Sequence, residues 1–150
     1  MLLFSSNYEN KVDIKGRVSL PSQFRSVILN NNSDFQGVAA YQSTKNKPCI
    51  EGSRVEKLQQ KYDLIENNKD LTDDEKDYYI HVVLGCSVQL PFDTDGRIIL
   101  PKNLLDFAGI KDKAIFVGLN ETFEVWEPSK FVEYTQKAQE QFKNKKISIR

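Results

Sequence analysis

The residues best placed to do chemistry are four cations near the start of the chain: Lys11, Lys15, Arg17 and Arg25. Lysine is a mobile point charge, and arginine presents a planar fork of N–H groups that fits a phosphate or a guanine edge. Such a set binds anions; it does not break bonds. Asp13 and Asp93 can be imagined as a paired acid and base, but each has a turn to hold and an arginine four residues on, which favours the ionised carboxylate. His81, the only histidine, has no cysteine or carboxylate at catalytic spacing and reads as a half-buried structural residue. Cys49 and Cys86, the only cysteines, read as small core residues. Neither a metal-ligand cluster nor a glycine-rich phosphate loop is present in the sequence, so no catalytic residue, metal, cofactor or small-molecule substrate is expected.

Three of the four cations lie in or beside a stretch that the chain uses twice. Asp13-Ile14-Lys15-Gly16-Arg17-Val18-Ser19-Leu20-Pro21 returns as Asp93-Thr94-Asp95-Gly96-Arg97-Ile98-Ile99-Leu100-Pro101, with Asp, Gly, Arg, Leu and Pro unchanged. Asp followed three residues later by Gly predicts a type I turn, in which the Asp side chain accepts backbone N–H groups and Gly tolerates positive φ. Asp13, Gly16, Asp93 and Gly96 are thus turn residues, and each unit reads strand, tight loop, strand, short helix. The second copy has Asp95 where the first has Lys15, and Leu105 where the first has Arg25. Its arginine, Arg97, reads first as a partner of neighbouring aspartates. Arg17 has the same option with Asp13, but sits among cations. Arg25 lies off the apolar face formed by Phe24, Val27 and Ile28 and is expected to remain available.

The elements that must carry these loops follow from patterning. Leu2 to Phe4 predicts an opening strand and Tyr8 to Val12 the strand entering the first loop. Val38 to Tyr41 and Cys49 to Glu51 predict a hairpin. Ser53-x-x-Glu56 and Thr72-x-x-Glu75 read as capping boxes opening two helices, the second with Tyr78, Tyr79, Val82 and Val83 apolar. Cys86 to Phe92 enters the second loop, Gly109 caps the helix after it, and Ala114 to Leu119 with Thr122 to Trp126 form a second hairpin. Pro128 opens a last helix. The expected organisation is one domain over 1–150: repeat one about 1–52, a helical segment 53–84, repeat two about 85–128, and a C-terminal helix with a basic tail over 128–150.

Charge balances overall, with 21 Lys plus Arg against 21 Asp plus Glu, so bulk charge makes no case for nucleic acid. Locally it is uneven: residues 51–80 carry nine acids and five bases, whereas 130–150 carry six bases and two acids. Two isolated cysteines suggest a reducing compartment. The short apolar start is no signal peptide and no stretch reaches the length of a membrane span, so a soluble cytoplasmic protein without membrane partners is expected.

The two Asp-x-x-x-Arg motifs, Asp13/Arg17 and Asp93/Arg97, lie inside an Asp-x-x-Gly-Arg-(apolar)-x-(apolar)-Pro frame. Together with Ala114-Ile115-Phe116-Val117-Gly118 and Phe123-Glu124-Val125-Trp126, they resemble the MraZ family, within the wider AbrB/SpoVT-type swapped-hairpin group. The resemblance runs over nearly the whole chain. It implies an α+β fold in which the two tandem repeats form one pseudo-twofold swapped-hairpin β-barrel with peripheral helices, and assembly into a homo-oligomeric ring. It implies a nucleoid-associated repressor that binds double-stranded DNA at direct repeats upstream of the division and cell-wall gene cluster, its own operon included. Lys11, Lys15, Arg17, Arg25 and Arg97 are then the candidate DNA-binding residues. An interaction ring or antitoxin-like module that binds protein is the alternative. The chain departs from the family pattern at Ser5-Ser6, where a Gly is usual after the first Phe, and at Asp95 and Asp106.

Overall fold

The structure is a computed structural model and describes residues 3–145. Among these it is a mixed α+β fold of eight strands and five helices. The first repeat supplies β1 (Asn7–Lys11), β2 (Arg17–Ser19), α1 (Ser22–Leu29), β3 (Gly37–Gln42) and β4 (Ile50–Ser53). Next come α2 (Glu56–Glu66), α3 (Asp73–Ile80) and a π-helical turn (His81–Gly85). The second repeat supplies β5 (Val88–Pro91), β6 (Arg97–Ile99), α4 (Lys102–Ala108), β7 (Lys113–Leu119) and β8 (Thr122–Trp126), and α5 (Pro128–Lys145) follows.

Six strands form one antiparallel sheet in the order β1-β7-β8-β4-β3-β5, and β2 with β6 forms a separate two-stranded ribbon. The repeats are paired across, not side by side. β1 of the first lies on β7 of the second, β5 of the second lies on β3 of the first, and β4 meets β8 in the middle. The sheet is open, which corrects the expected closed barrel: among the described residues β1 and β5 are edges with no closing partner. The tight turns explain this. Each carries the chain off the sheet, so the outgoing strands pair with each other and touch the sheet edge through the isolated bridge Val12↔Val18.

One apolar cluster draws on both repeats: Val18, Leu20, Phe24 and Ile28 from the first, Ile98, Leu100, Leu104 and Phe116 from the second. Phe24 is fully buried and stands 5.2 Å from Phe4 and 5.4 Å from Phe123, ring centre to ring centre. Burying side chains of this size contributes about 1.5–3 kcal/mol each, and neither repeat alone has enough of them to enclose a core.

Several expectations are corrected. Leu2 lies outside the described residues, and Phe4 makes one bridge to Asn120, not a strand. Ser6, at φ +66°, breaks the line between Phe4 and β1. This is where the sequence has serine in place of the usual glycine, and the backbone there is left-handed, the conformation glycine favours. Ser53 does not cap α2: it is paired with Thr122 in the sheet, and its hydroxyl donates to the Arg54 carbonyl. Thr72 and Glu75 do form a reciprocal capping box at the start of α3. α3 nevertheless buries none of its residues; Tyr78 and Tyr79 are exposed, and the segment is anchored by Val83 of the π-helical turn. His81 and Cys86 are exposed, not half-buried or in the core, because that turn directs Val83 and Leu84 inward to Ala39, Tyr41 and Leu58 and leaves both outside.

Candidate nucleic-acid interface

The two Asp-x-x-Gly-Arg loops have the predicted geometry. Asp13 Oδ1 accepts the N–H groups of Lys15 at 2.9 Å and Arg17 at 2.8 Å, and Gly16 N–H donates to the Asp13 carbonyl at 2.9 Å. In the second loop Asp93 Oδ1 accepts from Asp95 at 2.8 Å and Arg97 at 2.9 Å. The arginine N–H in each loop, followed by the smaller contributions of the other N–H groups and the guanidinium, holds Asp13 and Asp93 below the ordinary carboxylate value. Gly16 has φ +84°, and a Cβ there would stand 2.5 Å from the Leu100 carbonyl oxygen, so the position requires glycine.

The loops also hold each other. Leu20 N–H donates to the Gly96 carbonyl at 3.3 Å, and Leu100 N–H donates to the Gly16 carbonyl at 2.9 Å. Arg25 lies over Gly96, and its Nη1 donates to the carbonyls of Leu20 (3.2 Å) and Gly96 (3.4 Å). Its counterpart Leu105 lies over Gly16. Arg25 is therefore engaged in joining the repeats, not free as expected.

The ribbon sets the direction of the two arginines. Its register pairs Arg17 with Ile99, Val18 with Ile98 and Ser19 with Arg97. Val18 and Ile98 are buried, so alternation sends Arg17, Ser19, Arg97 and Ile99 to the opposite, outer face. Arg17 Nε is bound to Asp13 Oδ2 at 2.6 Å, and among the described residues its two terminal nitrogens have no partner. Arg97 repeats the bond to Asp93 at 2.8 Å, but its Nη2 also meets Asp95 at 3.4 Å. Lys15 stands at the exposed tip beside Ile14, whose side chain is fully exposed.

Next to the ribbon runs a polar cleft of about 480 Å³, lined by Lys11, Asp13, Arg17, Ser19, Arg97, Asp112 and Lys113, among others. Lys113 is the residue the sequence reading missed. Nothing in its local pattern marks it; only the β1–β7 pairing, across about a hundred residues, sets it opposite Lys11. Of the five candidates, the structure brings Lys11, Arg17 and Arg97 to this cleft, puts Lys15 at the neighbouring tip, and uses Arg25 behind the ribbon. Among the described residues no three His, Cys, Asp or Glu side chains gather as metal ligands, and no helix is long and apolar enough to cross a membrane. Cys49 is buried, which pushes its thiol up to about 12.

Comparison with known proteins agrees with these motifs. A family profile described as "MraZ protein, putative antitoxin-like" matches residues 84–148. A protein of Rickettsia canadensis (strain McKiel) named "Transcriptional regulator MraZ" is 39% identical over 153 aligned residues, covering 100% of this chain and 98% of its own. The proteins of that name from Rickettsia rickettsii (strain Sheila Smith), at 40%, and Rickettsia bellii (strain OSU 85-389), at 38%, cover the same shares. The chain belongs to the MraZ family.

Proposed function

We propose that this protein is a transcription regulator that binds double-stranded DNA with the outer face of the β2–β6 ribbon. One observation carries the reading: Arg17 and Arg97, eighty residues apart in sequence, lie on the same solvent face of a two-stranded ribbon beside Lys11 and Lys15. A two-stranded ribbon fits the major groove of B-DNA, and arginine is the side chain best suited to guanine O6 and N7 there. Arg17, whose terminal nitrogens are unpaired among the described residues, is the principal reader; Arg97 is partly held by Asp95. Lys11 and Lys15 serve the phosphates. The names of the relatives support a role in transcription.

The finer reading is a nucleoid-associated repressor of the division and cell-wall gene cluster, its own operon included, acting at upstream direct repeats as a ring. One ribbon makes few contacts; several on one assembly, reading repeated sites, act at high effective concentration. Two faces suit such an assembly. α3 exposes Tyr78 and Tyr79 beside Asp73, Asp74, Glu75 and Asp77. α5 buries none of its residues and borders an apolar groove of about 580 Å³ lined by Trp126, Phe131, Tyr134 and Phe142, and it carries four lysines against two glutamates. Those same unpartnered faces favour the alternative, a protein-binding or antitoxin-like module.

The test is a binding titration with DNA from upstream of the gene, against a scrambled sequence, at two salt concentrations. Wild type should prefer the upstream DNA and weaken steeply with salt, and Arg17→Ala should lose about 1–3 kcal/mol of discrimination per engaged subunit. A protein that assembles normally yet shows no preference for upstream DNA moves the assignment to the alternative.

A further inference from the structure

Lys11 and Lys113 are directly opposite each other at the end of the β1–β7 ladder. Like charges in that position repel, because cross-strand neighbours stand only about 5 Å apart at Cβ. Both side chains are exposed, and among the described residues neither has an ion pair or a side-chain hydrogen bond. Elsewhere on the same sheet a like-charged cross-strand pair is countered: Glu51 and Glu124 are also opposite, and each is met by a lysine, Lys61 at 2.9 Å and Lys47 at 2.6 Å. Among the described residues the lysine pair has no such ion-paired counter-charge. It borders the cleft beside the ribbon, where Arg17 and Arg97 also lie, each already paired with the aspartate of its own loop. The carboxylates there are Asp13 and Asp112. Asp13 is already committed to Arg17 and to the N–H groups of its own loop, which leaves Asp112 alone against the lysine pair.

We infer that this cleft is a phosphate seat, in which Lys11 and Lys113 together hold one phosphate group of the DNA backbone next to the bases read by the ribbon. The inference rests on the DNA-binding reading above. Its chemistry is that of two ammonium groups sharing one anion: the repulsion between them is relieved when the phosphate arrives, so the seat is strongest when filled. Lys113 is thereby a positioning residue for the ribbon. It reads no base; it fixes how deep and at what angle β2 and β6 enter the groove. Because β1 and β7 belong to different repeats, the seat exists only where the repeats are paired across the sheet. A free phosphate has the same chemistry as a backbone phosphate, so the test separates the two sources.

The experiment measures DNA affinity against salt for the full chain, with upstream and scrambled DNA, comparing wild type, Lys113→Gln, Lys113→Arg and Arg17→Ala. Lys113→Gln should weaken binding to both DNAs by the same factor and make the slope of log affinity against log salt shallower by about 0.9 per engaged subunit. Lys113→Arg, which keeps the charge, should restore the slope. An unchanged slope in Lys113→Gln, alongside lost preference in Arg17→Ala, overturns the seat and leaves the DNA reading standing. If Arg17→Ala also changes nothing, the DNA reading itself falls. A titration of wild type with inorganic phosphate is the second arm. Saturable shifts at the Lys11 and Lys113 amides, with no change of DNA slope in Lys113→Gln, would assign the site to a free anion and overturn the backbone contact.

Discussion

Asp13 and Asp93 do two jobs with one carboxylate. One oxygen of each closes its loop by accepting backbone N–H groups, and the other holds the Nε of the arginine four residues on. A guanidinium gripped at Nε is aimed without being consumed, because its terminal nitrogens remain. The difference between Arg17 and Arg97 is then a single extra carboxylate, Asp95. Both turn aspartates have folded-state values below the ordinary 3.8, so their contribution to the folded loop is complete above 3.8 and is lost as pH falls through the lower folded value. The expected outcome is that the amide signals of Lys15, Arg17 and Arg97 move together with a midpoint below 3.8, measured by NMR. A midpoint at or above 3.8 would show that the carboxylates do not hold the loops.

At the scale of elements, the sheet carries charge inside it as well as at its edge. Glu124 on β8 is buried, accepts from Trp126 Nε1 at 2.9 Å and pairs with Lys47 from the β3–β4 loop. Burial works against the Lys47 charge, but the hydrogen bond and charge of Glu124 outweigh it, and its value is raised. The Lys47 side of the pair is therefore charged at neutral pH, and its contribution is lost as pH rises through that raised value. Removing one partner of such a buried pair costs about 3–5 kcal/mol, since the other charge is left uncompensated. Lys47→Met should lower stability by that amount in a urea titration. A loss under about 1 kcal/mol would mean that Glu124 finds water or another partner. The helices have their own logic. Thr72 and Glu75 cap α3 although it buries nothing, so its first turn is held by the cap and not by burial.

For the whole molecule, the acidic aromatic face of α3 and the apolar groove under α5 are different surfaces, and a contact between them in the proposed assembly would be head-to-tail. Repetition of one head-to-tail contact closes into a ring when the rotation allows it. This gives a complementation test. Tyr78→Asp spoils the head and Phe142→Asp spoils the tail; both side chains are exposed, so each variant should fold. Alone, neither variant should form the proposed ring. Mixed, they should form a dimer with one intact contact, read by light scattering. Failure of the mixture to associate, with both variants folded, would exclude this pairing of faces.

The sequence by itself determined the local parts. Asp-x-x-Gly-Arg sets its own turn because the partners lie within four residues, and the capping box at Thr72 and the glycine cap at Gly109 close within one helix turn for the same reason. The doubled motif also disclosed the family and the α+β class, since a repeat is visible without knowing what it touches. Only the tertiary structure decided what depends on distant pairing. It opened the sheet, engaged Arg25 with Gly96, exposed His81 and Cys86, and set Lys113 opposite Lys11. Each of these is a choice between partners far apart in the chain. Local periodicity records which face a residue takes on its own element, but not which neighbour waits there.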